Sequence, residues 1–182
     1  MRKLIKKEND VKKTNITLIG MPTSGKSTVG VIVAKILGMD FVDADLVIQS
    51  REGMKLSEII DKRGIDGFVS CEGNAIMSIE AKNTVIATGG SAVYSDEAMK
   101  HLAKDSVIVY LKLEKEELFN RLSNAKERGV VLHKGETLDD MFNNRAILYA
   151  KYADLTVEEK GLTMEETVES LVESIKKYNE CL

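Results

Sequence analysis

Residues 20–30 read GMPTSGKSTVG, and Gly20, Gly25, Lys26 and Ser27 fit the spacing G-x-x-x-x-G-K-[ST] with nothing missing. A loop of this kind must curve tightly enough for consecutive backbone N–H groups to point at one phosphate. A Cβ at the glycine positions would obstruct that curvature. The cradle would be built from Gly20, Thr23, Ser24, Gly25, Lys26, Ser27 and Thr28. A helix opening near Lys26 would add the positive end of its dipole. Lys26 can then reach the β- and γ-phosphates of a nucleoside triphosphate, and the Ser27 hydroxyl can ligate Mg²⁺. A second cluster, FVDAD at 41–45, supplies two carboxylates, Asp43 and Asp45. At alternate positions of a strand they would point the same way, toward metal and nucleophile. A third, IATGGS at 86–91, brings the small residues Gly89, Gly90 and Ser91.

The elements that must position these clusters alternate in type. NITLIG (15–20), FVDAD (41–45), TVIATGG (84–90), SVIVYLKL (106–113) and DLTVE (154–158) read as short strands, rich in β-branched and apolar residues. Between them run amphipathic stretches with helical spacing. The first, 26–38, closes on Gly38; LVIQSREG and KLSEIIDKRG each close on a glycine, and GFVSCEGNAIMSIEAK continues as helix. Ser95 is placed to cap SDEAMKHLAKD. EKEELFNRLSNAKERG leads into a polar stretch, LDDMFNNRAILYAKYA follows, and TMEETVESLVESIKKY ends the chain. Strands alternating with helices predict a parallel sheet covered on both faces, with ligands beyond the carboxyl ends of the strands. Those ends carry all three clusters.

Composition sets the outer bounds. At 182 residues, with 43% hydrophobic and 30% charged residues, the chain is long enough for one α/β domain with its own core. A net charge of −3 argues against a general nucleic-acid partner. No apolar run approaches the roughly 18 residues of a membrane span. The opening MRKLIKKENDVKK has six basic residues against two acidic ones. It reads as a solvated extension over 1–14, since LI is too short for a signal sequence. Residues 15–182 then form a single domain. Cys71 and Cys181 lack metal-ligand spacing and read as reduced thiols of a cytoplasmic protein. A GTPase would want an N-K-x-D reader of the base, which is absent, and a large ATPase would want more chain. A small kinase, expected to be a monomer, fits the length.

Four separated motifs then resemble the shikimate kinases: GMPTSGKSTVG, FVDADLVIQ, VIATGGSAV and NNRAILYAKYAD, in that order, within a likeness running from about Asn15 to Ile175. The resemblance implies a P-loop, nucleoside-monophosphate-kinase-like fold, a five-stranded parallel sheet in the order 2-3-1-4-5 with a lid over about 124–137. It also implies ATP and Mg²⁺ as cofactors and a small-molecule hydroxyl as acceptor. Residue by residue, it implies that Lys26 stabilises the transferring phosphoryl group and that Ser27 and Asp43 serve the metal. Asp45 would contact the acceptor and act as base. Arg128 would close on the phosphates, Arg121 would lie against adenine, and Arg145 would clamp the acceptor's carboxylate. Gly89, Gly90 and Ser91 would line the acceptor side.

The sequence also departs from the family. Phe-Arg-x-x-Glu in the helix after the second strand reads FVSCE here, so Val69 stands where an arginine grips the acceptor carboxylate, and Glu72 keeps the glutamate. The third glycine of the family's triple is Ser91, and the lid's Arg-Pro is Arg128-Gly129. An unpaired Glu72 anion would repel a carboxylate and attract an ammonium group. The altered pocket therefore raises a hydroxy amino acid or amino alcohol as acceptor, with Ser91 adding a hydrogen bond. Shikimate remains the acceptor if Lys62, Arg63 or another nearby cation replaces the arginine. A non-catalytic nucleotide-binding regulator is the rival from another class, and intact Lys26, Asp43, Asp45 and Arg128 speak against it. A nucleoside monophosphate kinase is disfavoured because Arg51 and Arg63 are the only arginines between the second and third strands.

Overall fold

Strand β1 (Asn15–Gly20) is buried at every position, the pattern of a strand covered on both faces. Around it the computed structural model, which describes residues 13–124 and 131–180, builds a single five-stranded sheet. Its other strands are β2 (Asp40–Asp43), β3 (Thr84–Ala87), β4 (Ser106–Lys112) and β5 (Leu155–Glu158), in the order β2-β3-β1-β4-β5. Every pairing is parallel, with Ile16 level with Val85 on one side and Val107 on the other. The architecture expected from the alternating pattern is the one observed. Most of the basic extension, Arg128 and Cys181 lie outside the described residues.

The two-residue period sorts the strand side chains into two cores. Ile16 and Leu18 join Val85, Val107, Val109 and Leu111 beneath α1 (Lys26–Leu37) and α7 (Met164–Glu180). Ile19 faces the other way, joining Ile86, Ile108 and Tyr110 beneath α4 (Asp96–Asp105) and α6 (Leu138–Tyr152). A third, smaller cluster gathers Ile48, Ile59, Phe68, Cys71, Ala75 and Val131. It joins α2 (Ala44–Glu52) and α3 (Leu56–Met77) to the segment before α6. The remaining helix, α5 (Lys115–Asn124), follows β4. Among the described residues no helix is long and apolar enough to cross a membrane.

Several boundaries differ from the sequence reading. β2 ends at Asp43, not at residue 45, because the Asp43 carboxylate accepts the backbone N–H of Asp45 at 2.9 Å and caps α2. Asp43 and Asp45 are therefore not alternate residues of one strand: one is a cap and the other sits in the first helical turn. β3 stops at Ala87, so Gly89 and Gly90 belong to the loop beyond it. The two helices expected on either side of Gly64 are one helical stretch bent there, where φ is 69° and ψ is −177°. It ends at Met77, before the expected Lys82, where the Ser78 hydroxyl donates to Ala75 O at 2.7 Å. The expected caps at Gly38 and Ser95 are present, Ser95 accepting the Ala98 N–H.

Candidate active site

Because all strands run parallel, Gly20, Asp43 and Ala87 end on the same edge of the sheet, and a cavity of about 480 Å³ opens beyond them. One wall is the loop between β1 and α1. Thr23 (φ 65°) and Gly25 (φ 78°) both take the left-handed conformation that curls the backbone, and Gly25 passes directly into α1. At Gly20 a Cβ would stand 2.5 Å from Leu111 O, so the close approach of β1 to β4 forbids any side chain there. Thr23, Gly25, Lys26, Ser27 and Thr28 line the cavity, while Ser24 is buried behind them.

Lys26 is 7% exposed and donates from Nζ to Gly20 O (2.9 Å), Met21 O (2.7 Å) and Ser24 Oγ (3.4 Å). Burial lowers its pKa to about 8, and the nearby carboxylates of Asp45 and Glu159 pull it back up. A phosphate arriving in the loop would add negative charge and hold the ammonium protonated. The three oxygens that now receive its protons are an internal substitute for that ligand.

Across the cavity Asp45 and Glu72 converge on Gly89. A Cβ at Gly89 would lie 2.1 Å from Glu72 Oε1 and 3.0 Å from Asp45 Oδ1. Absence of a side chain there is what lets the two carboxyl groups approach the loop. The carboxylates that meet at this site are thus Asp45 and Glu72, while Asp43 caps α2. Glu72 is 1% exposed, and burial raises its pKa to about 7, opposed chiefly by the hydrogen bond from the Ser91 hydroxyl to Oε2. Its Oε1 has no hydrogen-bond partner among the described residues. Ser91, expected to reach for the acceptor, instead spends its hydroxyl on Glu72.

Arg145 completes this side. It is 1% exposed, projecting from α6, whose first turn is fixed by reciprocal hydrogen bonds between Thr137 and Asp140. Its Nε donates to the Tyr94 hydroxyl at 3.2 Å, another of its N–H groups donates to Val131 O, and its guanidinium lies 5.2 Å from the centre of the Tyr94 ring. Gly90, also on the wall, is held by Tyr149, whose hydroxyl donates to Gly90 O at 2.6 Å. Both partners of the Arg145 hydrogen bonds are neutral, and no carboxylate among the described residues makes an ion pair with it. A buried guanidinium in this condition is an anion site.

Other expected residues fall elsewhere. Val69 does not line the cavity; it packs against the small α2–α3 cluster, and its neighbour Phe68 faces the cavity instead. Asp43 stays at the base of α2 as a cap. Arg121 donates to Thr23 O at 2.9 Å and pairs with Glu117 and with the buried Glu159, tying α5 to the phosphate loop. Glu159 and Lys55 were missed by the sequence reading. Neither sits in a motif: Glu159 directly follows β5 and Lys55 directly precedes α3.

Fold and site together define a phosphotransferase of the P-loop, nucleoside-monophosphate-kinase-like class. The family description "Shikimate kinase" matches residues 22–176. A shikimate kinase of Thermodesulfovibrio yellowstonii is 41% identical over 168 residues, covering 91% of this chain and 96% of that one. One of Haemophilus influenzae is 33% identical over 177 residues, covering 93% and 98%. Among solved structures, the shikimate kinase from Acinetobacter baumannii in complex with shikimate has a TM-score of 0.80 and 29% identity, covering 91% of this chain and 94% of that one. The chain belongs to the shikimate kinase family.

Proposed function

We propose that this protein transfers the γ-phosphate of ATP to a hydroxyl of shikimate. The observation that carries the choice of acceptor is Arg145, a buried cation that forms no ion pair with a carboxylate among the described residues, in the cavity that also holds Lys26 and Asp45. An acceptor with a carboxylate at one end and hydroxyls at the other satisfies both walls at once. A solved relative, from Acinetobacter baumannii, is described as a complex with shikimate.

Each residue then has a task. The loop amides and Lys26 bind the β- and γ-phosphates, and Lys26 exchanges its bonds to Gly20 O and Met21 O for phosphate oxygens as charge develops. Asp45 orients the acceptor hydroxyl and takes its proton during in-line attack. The donor set suits Mg²⁺, which takes few protein ligands and keeps water and phosphate oxygens. Ser27, lining the cavity beside Lys26, would give it a hydroxyl. Asp43, engaged through Oδ1 alone among the described residues, would meet a metal-bound water through its other oxygen. Held there, Mg²⁺ would supply positive charge that offsets the charge of the triphosphate. Arg128 is proposed as the further cation on the phosphates, on the strength of the family resemblance.

The alternative acceptor, bearing an ammonium group, needed Glu72 as a free anion. Its buried carboxyl, bonded to Ser91 and shifted to about 7, is a poor ammonium site compared with Arg145 as a carboxylate site. The deciding measurement is ADP release from ATP and Mg²⁺ with shikimate, set beside a panel of hydroxy amino acids and amino alcohols. Acceptor-dependent release with shikimate alone is expected. Release only with an amine-bearing acceptor would replace the reading, and none with any acceptor would favour a regulator.

A further inference from the structure

We propose that Lys55 is the second cation of the acceptor site, taking with Arg145 the carboxylate that Val69 cannot hold. This inference rests on the acceptor assigned above. Lys55 stands at the entry to α3 and lines the same cavity as Asp45, Glu72 and Arg145. Its backbone N–H donates to Glu58 Oε2 at 2.8 Å, which fixes its place at the entry to α3. It is exposed, and its ammonium makes no ion pair with any described residue.

The two cations that the sequence offered as replacements are engaged elsewhere. Lys62 contacts Met54 Sδ at 3.2 Å, and Arg63 donates to Glu52 and to Cys71 Sγ. Neither lines the cavity. The charges that do line it divide by task. Lys26 is turned to the phosphate loop, Asp45 to the reacting hydroxyl, and Glu72 is bonded to Ser91. Arg145 and Lys55 remain, and both are positive. Leu56 and Ser57, the first residues of α3, share the lining beside Lys55, so the helix's amino-terminal N–H groups lie on the same side.

The two cations differ in kind. Arg145 is buried and fixed, with planar geometry for a carboxylate. Lys55 is a flexible, solvated point charge at the mouth, so its effect is on acceptor capture and is screened by salt. That signature separates it from a merely structural role.

The test is steady-state kinetics of Lys55→Met, Lys55→Arg and Lys55→Glu with shikimate, at low and high salt, with melting temperature as a check on folding. Lys55→Met should raise KM for shikimate roughly three- to tenfold, the range of a partly solvated charge contact. Turnover number and KM for ATP should stay within about twofold of the parent. Lys55→Glu should be worse, Lys55→Arg near the parent, and the spread should narrow at high salt. Equal KM across the series, or Lys55→Arg as impaired as Lys55→Met, overturns the inference. A parent protein active on shikimate with a flat series removes only Lys55. A parent inert toward shikimate removes the acceptor assignment and this inference with it.

Discussion

The phosphate wall and the acceptor wall of one cavity are built on opposite plans. On the phosphate wall, Lys26 already donates to three oxygens of its own loop, and Arg121 is tied to Thr23, Glu117 and Glu159. On the acceptor wall, Arg145 has only neutral partners and Glu72 Oε1 has none among the described residues. The first wall exchanges internal hydrogen bonds for ligand ones, which keeps the loop curled before the ligand arrives. The second holds open valences that the ligand itself must fill. Substituting Lys26 on the first wall should therefore strike the chemical step, and substituting Arg145 on the second should strike acceptor affinity.

The largest effect is expected at Lys26. Lys26→Met keeps the length of the side chain and removes the donor aimed at the transferring group. It should lower kcat by about 10²–10³-fold, the usual cost of deleting one transition-state donor. KM for shikimate should change little. A loss confined to KM for ATP would mean that Lys26 binds ground state and transition state equally, and the division between the walls would fail on its phosphate side.

Next comes Arg145. Arg145→Met removes a charge-assisted contact to the acceptor's carboxylate, which corresponds to about ten- to a hundredfold in KM for shikimate. KM for ATP should hold, because the phosphate loop does not depend on this side chain for any hydrogen bond among the described residues. Arg145→Lys should recover only part of the affinity, since a single ammonium cannot make the bidentate contact. If acceptor and nucleotide affinities fall together, Arg145 serves the cavity as a whole.

How much of this was legible in the chain depends on whether a residue acts through its neighbours in sequence. The sheet order followed from a resemblance carried by four motifs, and the phosphate loop from one local spacing that must curl the same way wherever it occurs. The acceptor wall is assembled from α2, α3, the loop after β3 and α6, so its partnerships are not local. Asp43 and Asp45 looked like a pair because they are two residues apart, yet Asp43 was better used as a helix cap. The partner that Asp45 meets at Gly89 is Glu72, twenty-seven positions away in numbering. Val69 stands where the resemblance places an arginine, while Lys55, which lines the cavity with Lys26 and Arg145, lies outside any motif. Ser91 and Glu72 were both noticed as departures or survivals, and only the folded chain shows them bonded to each other.

The Ser91–Glu72 contact acts on stability rather than on a rate or an affinity, and pH brings it out. Glu72 has a folded-state pKa near 7 against an ordinary value of 4.5, because burial disfavours its charged form. Between those values the folded state holds a proton that the unfolded chain has released, so folding stability falls as pH rises toward 7 and levels off above it. Glu72→Gln keeps a hydrogen-bonding group for Ser91 and abolishes the titration. Relative to the parent it should gain stability across the same interval, by at most on the order of 3 kcal/mol above pH 7, and show no gain below about pH 4.5. Ser91→Ala removes the bond that favours the carboxylate, so its stability should keep falling to a higher pH than the parent's does. Urea unfolding of the three proteins from pH 4 to 9 measures both slopes. Parallel curves for parent and Glu72→Gln would show that Glu72 keeps its ordinary pKa in the folded state and is ionised at neutral pH. The acceptor wall would then carry a full negative charge at neutral pH, and the contrast between the two walls would weaken in favour of an amine-bearing acceptor.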